Sequence, residues 1–276
     1  MGVFDDAPRI VAARGDLAVW EMGEGEPVLV LHGFPDAPIG LTPLVTRLAA
    51  AGFRCIVPAL PGYLPSSPVD NYQSKAVAHD MLAVLDALGL ERAPVVGHDW
   101  GGCVALDLGA DHAERITRVV SLAIPHPAGF AARRRDLQEQ KTAAYAWILA
   151  YSGGAATLAA DPVWLDQLHA EWSPGLERAE WPAVKAVLAQ HGVGEAVHGW
   201  YRDDFEATTS TGDVLVPTLM LHGANDGCIR CACFRGFEDR FPAGLDLEEV
   251  PGVGHWLHCE APDQVAARIV DFLSAR

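Results

Sequence analysis

The segment Gly97-His98-Asp99-Trp100-Gly101-Gly102 constrains this chain more than any other. It directly follows the apolar run Pro94-Val95-Val96 and precedes a helical pattern through Val104, Leu106 and Leu108, so the backbone must pass from strand to helix within a few residues. So abrupt a turn accepts only small residues at its flanks, because a Cβ would clash there, and Gly97, Gly101 and Gly102 provide them. Asp99, at the apex, is expected to stand above the sheet beside a helix N-terminus whose partial charge favours a carboxylate. An aspartate ahead of a helix can also be a simple cap. The rest of the chain separates the two readings.

Asp226, in Leu221-His222-Gly223-Ala224-Asn225-Asp226-Gly227, follows a buried strand pattern, and His255, in Gly252-Val253-Gly254-His255-Trp256, follows the strand-like stretch Leu245 to Val250. The order nucleophile, acid, histidine is the one in which a strand-to-helix nucleophile turn finds its partners. His98, His126, His198 and His258 lack the loop position after the last strand and are expected to be structural or superficial. His32-Gly33-Phe34-Pro35 follows the first strong strand run, where a loop of this kind gives one backbone N–H to an oxyanion hole and the residue after the nucleophile gives the other. Those donors are Phe34 and Trp100, with His32 as an anchor of the loop.

Short apolar, β-branched runs at Pro27 to Leu31, Arg54 to Val57, Pro94 to Val96, Arg118 to Leu122 and Val216 to Leu221 alternate with helical patterns, which implies a mostly parallel sheet covered by helices on both faces. Val77, Met81, Leu85 and Leu88 share one helical face that Gly89 closes, and a last helix begins at Pro262 with Val265, Ile269 and Phe272 inward. Residues 125–213 differ: helical patterns, no convincing strand, and five of the eight tryptophans. The expected division is a core of residues 1–124 and 214–276 with a helical lid at 125–213.

A net charge of −16 disfavours nucleic acid and anionic membrane surfaces as partners. Arg133, Arg134 and Arg135 are the only basic run and read as a solvated helix end or loop rather than as an anion site. The N-terminal residues carry no basic and apolar signal pattern, and no apolar run is long enough to span a bilayer, so a cytoplasmic protein is expected. Six cysteines are then read as free thiols. Cys228, Cys231 and Cys233 would hold a metal only with a fourth ligand, for which Cys259 is the candidate, and their spacing matches no common zinc pattern.

Taken together, these segments resemble the epoxide hydrolase and haloalkane dehalogenase branch of the α/β-hydrolase fold family, over nearly the whole chain. His32-Gly33-Phe34-Pro35 resembles its HGxP motif, and His98-Asp99-Trp100-Gly101-Gly102 its nucleophile turn with aspartate where esterases carry serine. A carboxylate opens a strained ring or displaces a halide, but with an ester it would form an anhydride. Trp200-Tyr201-Arg202 resembles the W-Y-R segment that carries one of two ring-opening tyrosines in epoxide hydrolases. The resemblance implies a partner at Tyr145, with Tyr151 as the weaker candidate.

The implied activity is conversion of an epoxide to a vicinal diol. Asp99 is the implied nucleophile, His255 with Asp226 the water-activating pair, and Tyr145 and Tyr201 the donors to the ring oxygen. Phe34, Pro35, Trp100 and the two tyrosines would contact substrate. An epoxide and water are the expected reactants, with no cofactor and no metal; a homodimer stays open. Dehalogenation explains less, because Phe34 stands where haloalkane dehalogenases usually carry an asparagine, and Trp100 where fluoroacetate dehalogenases carry an arginine. A non-catalytic receptor built on the same lidded pocket is the reading of a different class. Ala59, in Pro58-Ala59-Leu60-Pro61-Gly62-Tyr63, stands where the wider family often has an acid, a departure that bears on substrate shape.

Overall fold

Along the strand Glu26–Leu31, Leu29 and Leu31 face one hydrophobic cluster while Val28 and Val30 face another, and all four are fully buried. Strand side chains alternate between faces, so a run apolar at every position demands cover on both sides. A computed structural model shows that cover, and it describes residues 4, 6–133, 135–204 and 211–275.

The strands are β1 (Arg9–Ala12), β2 (Asp16–Met22), β3 (Glu26–Leu31), β4 (Phe53–Pro58), β5 (Ala93–His98), β6 (Ile116–Leu122), β7 (Thr218–Gly223) and β8 (Leu245–Val250). They form one 8-stranded sheet in the order β1-β2-β4-β3-β5-β6-β7-β8. The β1–β2 and β2–β4 pairs are antiparallel and the others parallel. Helices α1 (Thr42–Ala50), α2 (Ser74–Ala87) and α3 (Trp100–Asp111) lie between the early strands. Between β6 and β7 come α4 (Pro127–Arg133), α5 (Leu137–Thr142), α6 (Ala144–Tyr151), α7 (Ala155–Ala159), α8 (Pro162–Trp172), α9 (Trp181–Leu188) and α10 (Val193–Asp204); α11 (Leu257–Glu260) and α12 (Pro262–Ser274) end the chain.

Leu44, Val45 and Leu48 of α1 pack with Val265 and Ile269 of α12 on one face of the sheet. Val77 and Met81 of α2, Val104 and Leu108 of α3, and the tryptophans of α8 to α10 pack on the other. Four of the five strand patterns fall within observed strands; the fifth starts at Thr218, after Pro217, which has no N–H for the ladder. The β1–β2 hairpin was not expected from the sequence, since its mixed polar pattern suits an edge. No helix of the described residues is long and apolar enough to cross a membrane.

The topology positions the site. Because β3, β5, β6, β7 and β8 run parallel, the loops that leave their C-terminal ends open on one edge of the sheet. Those loops carry Phe34, Asp99, the start of the helical insertion, Asp226 and His255.

Candidate active site

Asp99 stands between β5 and α3 with φ 51° and ψ −124°, a conformation that residues with a Cβ rarely adopt. A Cβ on Gly97 would lie 2.0 Å from the Gly101 carbonyl oxygen, so the turn requires glycine. The Asp99 side chain makes no capping hydrogen bond, which removes the simple cap reading. Its Oδ1 instead accepts the Phe34 N–H at 2.8 Å. Gly33 permits that approach: a Cβ there would lie 2.3 Å from Asp99 Oδ1 and 2.6 Å from Trp100 N. The Phe34 and Trp100 amides thus gather around the same carboxylate.

On the other side of Asp99, Oδ2 faces His255 Nε2 at 3.6 Å, and His255 Nδ1–H donates to Asp226 Oδ2 at 3.0 Å. Asp226 Oδ1 is fixed by the N–H groups of Cys228 at 2.7 Å and Ile229 at 2.9 Å. The Trp172 carbonyl at the end of α8 accepts from both Gly227 and His255 N–H, so the insertion ties together the two loops that carry the acid and the histidine. Burial alone would lower the His255 pKa, but the facing Asp226 and Asp99 carboxylates outweigh it and push it up to about 10. Burial would raise Asp99; His255 and the Phe34 N–H overcome that, and Asp99 is held below the usual carboxylate range.

Tyr145 on α6 and Tyr201 on α10 meet edge to face, with centroids 5.9 Å apart, and both line a cavity of about 890 Å³ together with Asp99 and Trp100. Burial pushes both hydroxyl pKa values well up, with the Asp99 charge adding to the effect, so both remain O–H donors. Tyr151 is 52% exposed and stacks on Trp147, outside the cavity wall.

Two expectations about this cavity are corrected. Phe34 and Pro35 are not among the residues lining it, and the Phe34 ring packs edge-on against Tyr201 at 5.8 Å. Arg133 is not simply solvated, since it lines the same cavity. Arg134 lies outside the described residues.

His32 anchors its loop, its Nε2 accepting the Leu60 N–H, and His98 Nε2–H donates to the His255 carbonyl. The cysteines are free, and the four weighed as a metal group have separate partners. Cys228 meets the Tyr145 hydroxyl, Cys231 the carbonyls of Gly223 and Ala224, Cys233 the Glu139 carboxylate and Cys259 the Gly40 carbonyl. Other groups of potential ligands do come together. In Asp36, His98 and His258, the Asp36 carboxylate is already bound by the Arg178 guanidinium; in Asp226, Cys228 and His255, the acid is filled by amides and imidazole. His222, Cys231 and Glu249 form a third group around a β7–β8 register pair.

Cys103, Cys228, Cys233 and Glu139 line the cavity without a signal in the sequence, apart from Cys228 lying two residues after Asp226. Their approach depends on how the insertion folds back over the sheet edge.

An arrangement of this kind can deliver a carboxylate to an electrophilic carbon, stabilise an oxyanion by two amides, and move a proton through an imidazole. Epoxide hydrolase A of Mycobacterium tuberculosis is 28% identical over 96% of this chain and 97% of its own length, and an epoxide hydrolase of Caballeronia sordidicola is 28% identical over 95% and 92%. Among solved structures, epoxide hydrolase A of Mycobacterium thermoresistibile superposes with a TM-score of 0.79 at 23% identity, over 97% of this chain and 98% of that one. Residues 26–262 match the sequence profile of the alpha/beta hydrolase fold. The chain belongs to the α/β-hydrolase fold family.

Proposed function

We propose that this protein hydrolyses an epoxide to a vicinal diol through a covalent ester on Asp99. The observation that carries the reading is the placement of an ionised Asp99 in a cavity whose wall also presents two protonated tyrosines, Tyr145 and Tyr201. The relatives named epoxide hydrolases over the full chain support it.

In the first half-reaction an Asp99 oxygen attacks a ring carbon, and the C–O bond of the ring breaks. The developing alkoxide is stabilised by hydrogen bonds from Tyr145 and Tyr201 and takes a proton from one of these hydroxyls, which regains it from solvent. In the second, His255, oriented by Asp226, removes a proton from water as the water attacks the ester carbonyl. The oxyanion is held by the Phe34 and Trp100 N–H groups until the diol leaves and the Asp99 carboxylate returns. Forming the ester removes the Asp99 charge, one of the two that hold the His255 pKa up. The imidazolium of the resting enzyme then releases a proton, balancing the one the alkoxide gains, and the neutral imidazole is the base at the stage where one is needed. Helices α4 to α10 act as the lid, which excludes bulk water and carries both tyrosines.

A panel of aliphatic and aryl epoxides assayed for diol, beside haloalkanes assayed for halide, tests the class of reaction. A single turnover in heavy-oxygen water tests its route. Label should enter the Asp99 carboxylate, because water attacks the ester carbonyl; label in the first diol would show that water opens the ring directly. Halide release without diol formation would replace the epoxide by a haloalkane.

A further inference from the structure

Arg133 closes α4 in the wall of the cavity that holds Asp99, Tyr145 and Tyr201. Its neighbour Arg135 is exposed, as a solvated helix end should be, but Arg133 is only partly so, and its Nε is fully buried without a hydrogen-bond partner among the described residues. The acids nearby are committed. Glu139 lines the same cavity, yet its Oε1 accepts from Arg230 at 2.9 Å and its Oε2 from the Cys233 thiol at 3.3 Å. Asp99 is engaged by the Phe34 amide and His255.

The Nε is closed off from a ligand, but the side chain is partly exposed in the cavity wall, and a cation there with no committed acid favours an anion beside it. In a chain of net charge −16 the overall field repels anions, so a cation on the cavity wall acts as a local exception rather than as part of a basic surface. The planar fork of an arginine matches a carboxylate with two parallel hydrogen bonds. The Asp99 carboxylate in the same cavity repels a second anion placed next to it, so the charged group and the reacting ring must lie at different parts of one molecule. A cavity of about 890 Å³ has room for both.

We infer that Arg133 forms an anion subsite and that the substrate is an epoxide bearing a carboxylate remote from its ring. The substrate class rests on the epoxide reading above; the subsite itself does not.

The subsite is tested by binding without turnover. Calorimetry should show octanoate binding to the wild-type protein about tenfold more tightly than to Arg133→Gln, the scale of one partly solvated charged hydrogen-bonded pair. Arg133→Lys should recover part of the loss, and methyl octanoate should show no such dependence. The substrate class is tested by diol formation from a straight-chain epoxy acid and its methyl ester. The wild-type preference for the acid in kcat/KM should be about tenfold and should collapse in Arg133→Gln. Octanoate affinity unchanged by Arg133→Gln, or equal loss for acid and ester, would overturn the subsite. Arg133-dependent octanoate binding with no ester formed on Asp99 from any epoxide would leave the subsite standing and remove the reaction.

Discussion

The Cys228 thiol and the Tyr145 hydroxyl meet at 3.2 Å in the cavity wall, while the Cys228 backbone N–H holds Asp226 at 2.7 Å. One residue therefore touches both the ring-opening and the water-activating groups of the proposed reaction. Burial pushes the thiol pKa well up, so Cys228 stays an S–H donor. If the thiol donates to the tyrosine oxygen, the Tyr145 O–H is left free for the substrate. Cys228→Ala should slow ester formation about three- to tenfold, the scale of one net hydrogen bond. Ester hydrolysis should change less, and Cys228→Ser should restore the first step. Single-turnover kinetics separates the steps; equal loss in both would mark Cys228 as a packing residue only.

Replacing Tyr145 or Tyr201 by phenylalanine should each cost about tenfold or more in ester formation, since one donor remains, and the double replacement should abolish it. The measurement is the rate of adduct formation on Asp99. Ring opening at the wild-type rate by the double variant would remove both tyrosines from the mechanism.

Arg178, between α8 and α9, donates from Nη2 to both Asp36 oxygens at 3.1 Å, and both side chains are fully buried. The pair joins the insertion to the loop that carries Phe34. Arg178→Met should cost about 3–5 kcal/mol, because it strands a buried carboxylate. The double variant with Asp36→Val should regain much of that loss, since neither charge is then left uncompensated. Urea unfolding of the two variants decides; an unchanged midpoint for Arg178→Met would show that Asp36 finds another partner.

Much of the core was legible in the sequence because its signals are local. The glycines around Asp99 report the turn, and Pro94-Val95-Val96 reports a strand buried on both faces. The acid and the histidine could be placed because each follows a strand pattern. What was not legible depends on non-local contacts. Nothing near Arg133 says that α4 puts its last residue in the wall of the cavity that also holds Asp99. Nothing near Cys228 says that Tyr145, 83 residues earlier, arrives beside it. Phe34 was read as a substrate contact from its place in the HGxP resemblance, whereas its ring packs edge-on against Tyr201 from the insertion.

His255 separates the two half-reactions, and pH separates them further. In the resting protein its pKa is pushed up to about 10 by Asp226 and Asp99, so at neutral pH it is an imidazolium facing an ionised Asp99. Ester formation needs only the carboxylate, which stays ionised well below neutrality, so its rate should be flat through the neutral range. Ester hydrolysis needs neutral imidazole and should rise with pH, levelling off well below pH 10 because the Asp99 charge is gone from the ester. In His255→Gln the ester should form and then persist. Asp99 loses its strongest opposing partner there while burial still raises its pKa, so adduct formation in the variant should itself become faster toward alkaline pH. Mass spectrometry after brief exposure to an epoxide should show a gain equal to the substrate, on the peptide containing Asp99. Turnover to diol by His255→Gln at an undiminished rate would assign the base to another residue, and an adduct on a cysteine instead of Asp99 would take the nucleophile with it.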